Sequence, residues 1–163
     1  MAAQEIVQLW HLCVLWMRYG MLIEDQFILL VNIFGIILQA SYLYVFILYS
    51  VKKFKIIRQI IAATCFLGIV YFYSFYEQDR VLAAKYVGFL SCTITVLFFA
   101  SPLMMLAHVI KVKNTETLPF PIIMASFIVS SQWFVYGCLL NDLFIQIPNF
   151  LGSNLVDIIK FPR

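Results

Sequence analysis

Apolar residues run almost unbroken from Ile6 to Ile23, Phe27 to Val51, Ile56 to Tyr76, Val81 to Ile110, Leu118 to Leu140 and Leu143 to near Lys160. The breaks are short and polar: Glu24-Asp25, Lys52-Lys53-Phe54-Lys55, Glu77-Gln78-Asp79-Arg80, Lys111-Val112-Lys113-Asn114 and Asn141-Asp142. A helix needs about 20 mostly apolar residues to cross a bilayer. Strands of a membrane barrel would alternate apolar and polar side chains, and these runs do not. The pattern predicts an all-α membrane protein of about six spans. The fourth run is too long for one upright span, so it either tilts or begins at the interface around Lys85 and Tyr86. Pro102 lacks an amide donor and crowds the carbonyl of Phe98, which predicts a kink there.

Composition narrows the class. Hydrophobic residues make up 64% of the 163 positions and charged residues 12%, against roughly 50% and 25% in soluble domains. Soluble enzymes, nucleic-acid binders and disordered tails are excluded. Residues 6–23 do not form a signal peptide, because no Lys or Arg precedes them and Glu5 stands where positive charge belongs.

The cations sort the two sides of the membrane. Lys52, Lys53, Lys55, Arg58, Lys111, Lys113, Lys160 and Arg163 fall on one side, and Arg18, Arg80 and Lys85 on the other. The positive-inside rule makes the first side cytoplasmic, together with both chain ends.

A second pattern lies within the first. With an offset of 117 residues, Trp16, Tyr19, Gly20, Asp25, Phe27, Ile28, Asn32 and Gly35 fall on Trp133, Tyr136, Gly137, Asp142, Phe144, Ile145, Asn149 and Gly152. Shared apolar composition would match Leu and Ile, not paired Trp and Asn. Both copies start from the cytoplasmic side, so the repeats are parallel, one of the two repeat designs of transporters.

Trp16 and Asn32 stand eight positions either side of Glu24, and Trp133 and Asn149 eight either side of Asn141. At about 1.5 Å per residue each pair sits at one depth, near mid-membrane. A carboxamide offers donors and acceptors to vicinal hydroxyls, and an indole offers a flat apolar face to a sugar ring. Interhelical packing is the alternative for each residue alone. Cys13 and Ser130, three residues before each Trp, share its face and either line the same cavity or pack. Pro148, beside Asn149, is expected to free the carbonyl of Phe144 and bend the sixth run, and Pro102, Pro119 and Pro148 are candidate hinges. His11 and His108 read as interfacial, and Cys13, Cys65, Cys92 and Cys138 lie apart from them in apolar runs. No metal site, cofactor or intramembrane enzyme centre follows from this inventory. Acidic residues sit almost wholly in loops and Asp157 lies within a turn of Lys160, so uncoupled movement of a neutral solute fits better than proton coupling.

These motifs resemble the SWEET family of bidirectional sugar transporters, in its animal form. The resemblance rests on both Trp-x-x-Tyr-Gly hairpins, Ser101-Pro102-Leu103, Leu118-Pro119-Phe120, and the run from Gln146 to Gly152. It implies parallel three-helix repeats joined by a linker helix, working as a uniporter by alternating access on a mono- or disaccharide. Residues 1–51 are then an incomplete first repeat lacking its first helix. Residues 52–80 form the linker helix, and 81–163 the second repeat with a shortened last helix. Asn32, Asn149, Trp16 and Trp133 match the sugar-binding positions, and Pro102 and Pro119 two of the hinge prolines. The implied partners are a sugar, the lipid bilayer and further copies or full-length relatives, with no nucleic acid. The expected location is the plasma membrane or the Golgi. A non-transporting protein that assembles with full-length transporters and modulates them is the alternative function.

Overall fold

The computed structural model describes residues 2–51, 53–112 and 120–159. They form the helices α1 (Ala2–Ile23), α2 (Gln26–Tyr49), α3 (Lys53–Tyr76), α4 (Arg80–Val112), α5 (Phe120–Leu140) and α6 (Leu143–Ile159). No strand occurs among the described residues. Each expected apolar run became one helix, with ends differing by only a few residues because a polar residue can occupy a terminal turn. The windows Glu5–Ile23, Gln26–Tyr49, Lys53–Tyr76 and Arg80–Phe98 are long and apolar enough to cross a membrane, and α5 is apolar over Met124–Leu140. The fold is all-helical and membrane-embedded.

The chain divides into two compact units, residues 1–91 and 92–163. In the first, α1 lies against both α2 and α3. Leu15 and Ile28 are fully buried, and Val7, Leu43 and Ile56 form a small core cluster drawn from all three helices. Most of the remaining surface of α2 and α3 is exposed and apolar, as lipid requires. Tyr42, Tyr44 and Tyr49 near the end of α2, and Phe72, Tyr73, Phe75 and Tyr76 at the end of α3, are exposed. Aromatic residues at both ends of a span mark the two membrane interfaces.

In the second unit α5 and α6 form an antiparallel hairpin. The helix α4 is continuous through Pro102, and α6 through the fully buried Pro148. At about 1.5 Å per residue, the 33 residues of α4 are longer than the hydrocarbon core is thick. Its exposed Lys85 and Tyr86 lie in the first two turns. Pro119 and Lys160 lie outside the described residues.

Candidate functional site

Each hairpin turns on one left-handed residue. Glu24 has φ 60° and Asn141 has φ 55°, and they are related by the same offset as the sequence repeat. In the first hairpin the Asp25 amide donates to the Gly20 carbonyl at 2.9 Å, and in the second Asp142 donates to Gly137 at 2.9 Å. Asn141 adds a bond to the Cys138 carbonyl at 3.2 Å. These bonds satisfy carbonyls that a helix end would otherwise leave open. The following Asp then starts the next helix: Asp25 Oδ1 accepts from the Ile28 amide at 2.9 Å, and Asp142 Oδ1 from the Phe144 amide at 2.9 Å.

The repeat glycines set how closely the helices approach. A Cβ on Gly20 would stand 3.0 Å from Ile28 Cγ2 and 3.1 Å from the Leu29 amide nitrogen. On Gly137 it would stand 3.0 Å from the Gln146 nitrogen and 3.1 Å from Ile145 Cγ2. Lower in the first hairpin, a Cβ on Gly35 would meet Cys13 Sγ at 2.9 Å. The pairings Gly20 with Ile28 and Cys13 with Gly35 bracket Trp16 and Asn32, so the structure sets that indole and that carboxamide at one level. In the second hairpin, Gly137 beside Ile145 gives Trp133 and Asn149 the same register.

Local geometry also repeats. Trp16 meets Tyr19 edge to face at 5.6 Å, and Trp133 meets Tyr136 at 5.7 Å. Asn32 Nδ2 donates to the Ile28 carbonyl at 2.7 Å, and Asn149 Nδ2 to the Ile145 carbonyl at 2.8 Å. The carboxamides are therefore less open than the sequence suggests. One N–H of each is spent on its own helix, which fixes the rotamer and leaves the other N–H and the Oδ1 lone pairs outside that bond. All four side chains are half-buried, as is Cys13, whereas Ser130 is buried. The structure thus gathers Trp16, Asn32 and Cys13 in one hairpin and Trp133, Asn149, Ser130 and Pro148 in the other.

His11 is buried among the helices of the first unit, and its Nδ1 bonds the Val7 carbonyl within α1.

Two arginines were read only as outer-side charges. Arg18 lies inside α1, where its Nε donates to Ser74 Oγ at 2.8 Å and its Nη2 to the Ser74 carbonyl at 2.9 Å. Its guanidinium stands 5.5 Å from the centre of the Tyr71 ring, and the Tyr71 hydroxyl donates to the Val14 carbonyl at 3.1 Å. At the top of the first unit, Arg80 donates to the Leu22 carbonyl at 2.9 Å and the Met21 carbonyl at 2.8 Å, and pairs with Glu24 at 2.6 Å. It caps the C-terminal turn of α1. A lone Arg inside an apolar run was the available signal for the first of these contacts.

The family model described as sugar efflux transporter for intercellular exchange matches residues 6–54 and 85–160. The chain belongs to this family. It is 45% identical over 145 residues to the sugar transporter SWEET1 of Drosophila pseudoobscura pseudoobscura, covering 88% of this chain and 64% of that relative. It is 34% identical over 148 residues to the bidirectional sugar transporter SWEET2a of Sorghum bicolor, covering 88% of this chain and 61% of that one. The chain thus spans less than two thirds of the length of either relative. A solved structure of a eukaryotic SWEET transporter matches with a TM-score of 0.83 at 30% identity, covering 96% of this chain and 76% of that one.

Proposed function

We propose that the chain is a facilitative, bidirectional carrier of a mono- or disaccharide, working by alternating access rather than by enzyme chemistry. The observation that carries this reading is the duplicated hairpin. Each copy holds an indole and a carboxamide at one level of its helix pair, with the carboxamide rotamer fixed by its own helix. The relatives named as sugar transporters, one of them bidirectional, support the substrate class and movement in both directions.

In this reading Asn32 and Asn149 hydrogen-bond sugar hydroxyls, and Trp16 and Trp133 lie against the ring. Cys13 and Ser130, about one turn from each Trp, line the same cavity. A preorganised amide loses little rotamer freedom when sugar binds, so its hydrogen bonds are not offset by ordering entropy. Pro102, Pro119 and Pro148 act as hinges; within α4 and α6, Pro102 and Pro148 each remove one rung of helical hydrogen bonding. The carrier works in the plasma membrane, with the Golgi as second location, and assembles with further copies.

The test is uptake of labelled glucose, sucrose and trehalose into vesicles, driven only by the sugar gradient. At least one sugar is expected to equilibrate in both directions, and Asn149→Ala is expected to abolish this while expression persists. Unchanged uptake by Asn149→Ala contradicts the reading. No uptake by the lone chain, with co-purification of a full-length relative, assigns it instead to a modulator of such transporters.

A further inference from the structure

The first turns of α3 present two unlike faces. Ile56 is buried against Val7 and Leu43. Phe54, Lys55, Ile57, Arg58, Ile61 and Cys65 are all exposed. Spacings of three and four residues place Phe54, Arg58, Ile61 and Cys65 in one stripe, with Lys55 and Ile57 on its flanks. The cations therefore stand on an exposed face of α3, next to an apolar strip.

Their charge has no neutralising partner in the neighbouring sequence. No Asp or Glu occurs between Asp25 and Glu77. Lys52 and Lys53 add two more cations to the same short segment. Phe54 is 91% exposed and Val51 98%, so apolar side chains flank the cations at the membrane boundary. A basic cluster next to a spanning helix is attracted to the anionic lipids of the cytoplasmic leaflet, the side to which the overall charge bias assigns this end.

We infer that this face of α3 binds an anionic phospholipid. Lys55 and Arg58 hold the headgroup, and the acyl chain lies along Ile57, Ile61 and Cys65. Arginine suits the phosphate because its planar fork meets two oxygens at once. Lysine and arginine stems also cover apolar surface while their charged ends reach the headgroup layer. The stripe includes none of the Trp, Asn, Cys13 or Ser130 positions of the proposed sugar site, and its test does not depend on sugar transport.

The test is native mass spectrometry of the detergent-purified chain titrated with phosphatidylserine, phosphatidylcholine or inorganic phosphate. Phosphatidylserine is expected to be retained in preference to phosphatidylcholine. Each cation near an anionic surface is worth about fivefold in affinity, so K55Q/R58Q is expected to lose about thirtyfold. K85Q, an exposed cation at the other end of the membrane, is expected to bind as the unmodified chain does. An unchanged melting temperature of K55Q/R58Q in lipid-free detergent shows that the variant is folded. Three results would overturn the inference: equal retention of the two lipids, full retention by K55Q/R58Q, or displacement of phosphatidylserine by millimolar phosphate.

Discussion

Glu24 and Asn141 occupy the same left-handed backbone conformation, φ 60° and 55°, at equivalent places in the two hairpins. A Cβ there crowds the following carbonyl at a cost of about 1–2 kcal/mol, which the short polar side chain of Asn offsets by local hydrogen bonding and the longer Glu does not. Replacing Glu24 by Gly removes that strain but also loses the pair with Arg80, whose partners are 54% and 73% exposed and which is worth at most about 1 kcal/mol. Thermal unfolding in detergent is expected to rank Glu24→Gly at or above the natural chain. Glu24→Val should fall below it by about 1–2 kcal/mol. Equal stability of the Val and Gly variants contradicts a left-handed apex.

The glycines give a sharper contrast. A methyl group at Gly20 or Gly137 meets backbone nitrogen at 3.1 Å and 3.0 Å, respectively, whereas one at Gly68 meets nothing within 4 Å. Gly20→Ala and Gly137→Ala are expected to lower stability by about 1–3 kcal/mol through forced separation of the helices. Gly68→Ala should raise it by up to about 1 kcal/mol through helix propensity. Denaturation of the three variants side by side checks the ordering, and a destabilising Gly68→Ala would break it.

Arg18 fastens α1 to α3 through both the hydroxyl and the carbonyl of Ser74. Its counterpart in the second copy is Val135, so the fastening belongs to the first repeat alone. Arg18→Ala leaves a part-buried carbonyl and hydroxyl without this donor and is expected to cost about 1.5–3 kcal/mol, as for a hydrogen bond to a charged group. Arg18→Lys keeps the charge but not the fork, so it should recover only part of that loss. A double-mutant cycle with Ser74→Ala measures the coupling to the hydroxyl, and strict additivity would show that this bond contributes nothing.

Much of the architecture was readable from residue order because hydrophobic length alone selects spanning helices. The two apexes were also legible: Glu24-Asp25 and Asn141-Asp142 interrupt apolar runs, and the motif around them repeats. Helix faces were not. Lipid makes nearly every face of α2 and α3 apolar, so no amphipathic stripe marks the packed side. That is why the burial of His11 was not foreseen, and why Arg18 read only as an outer-side charge when it reaches Ser74. The carboxamides of Asn32 and Asn149 could be placed by depth but not by rotamer. The bond each makes to a carbonyl four residues earlier depends on side-chain torsions that spacing does not encode.

The central claim is that the two Trp–Asn levels recognise sugar. Trp10 Nε1 is buried without a hydrogen-bond partner, so Trp10→Phe removes that fluorophore without breaking a bond and leaves Trp16 and Trp133 as reporters. Sugar titration of this variant is expected to change the tryptophan emission saturably. Adding Asn32→Ala or Asn149→Ala should weaken the response at least about tenfold, the loss of roughly one charge-free hydrogen bond or more at each site. An unaltered titration in both Asn variants would contradict the account.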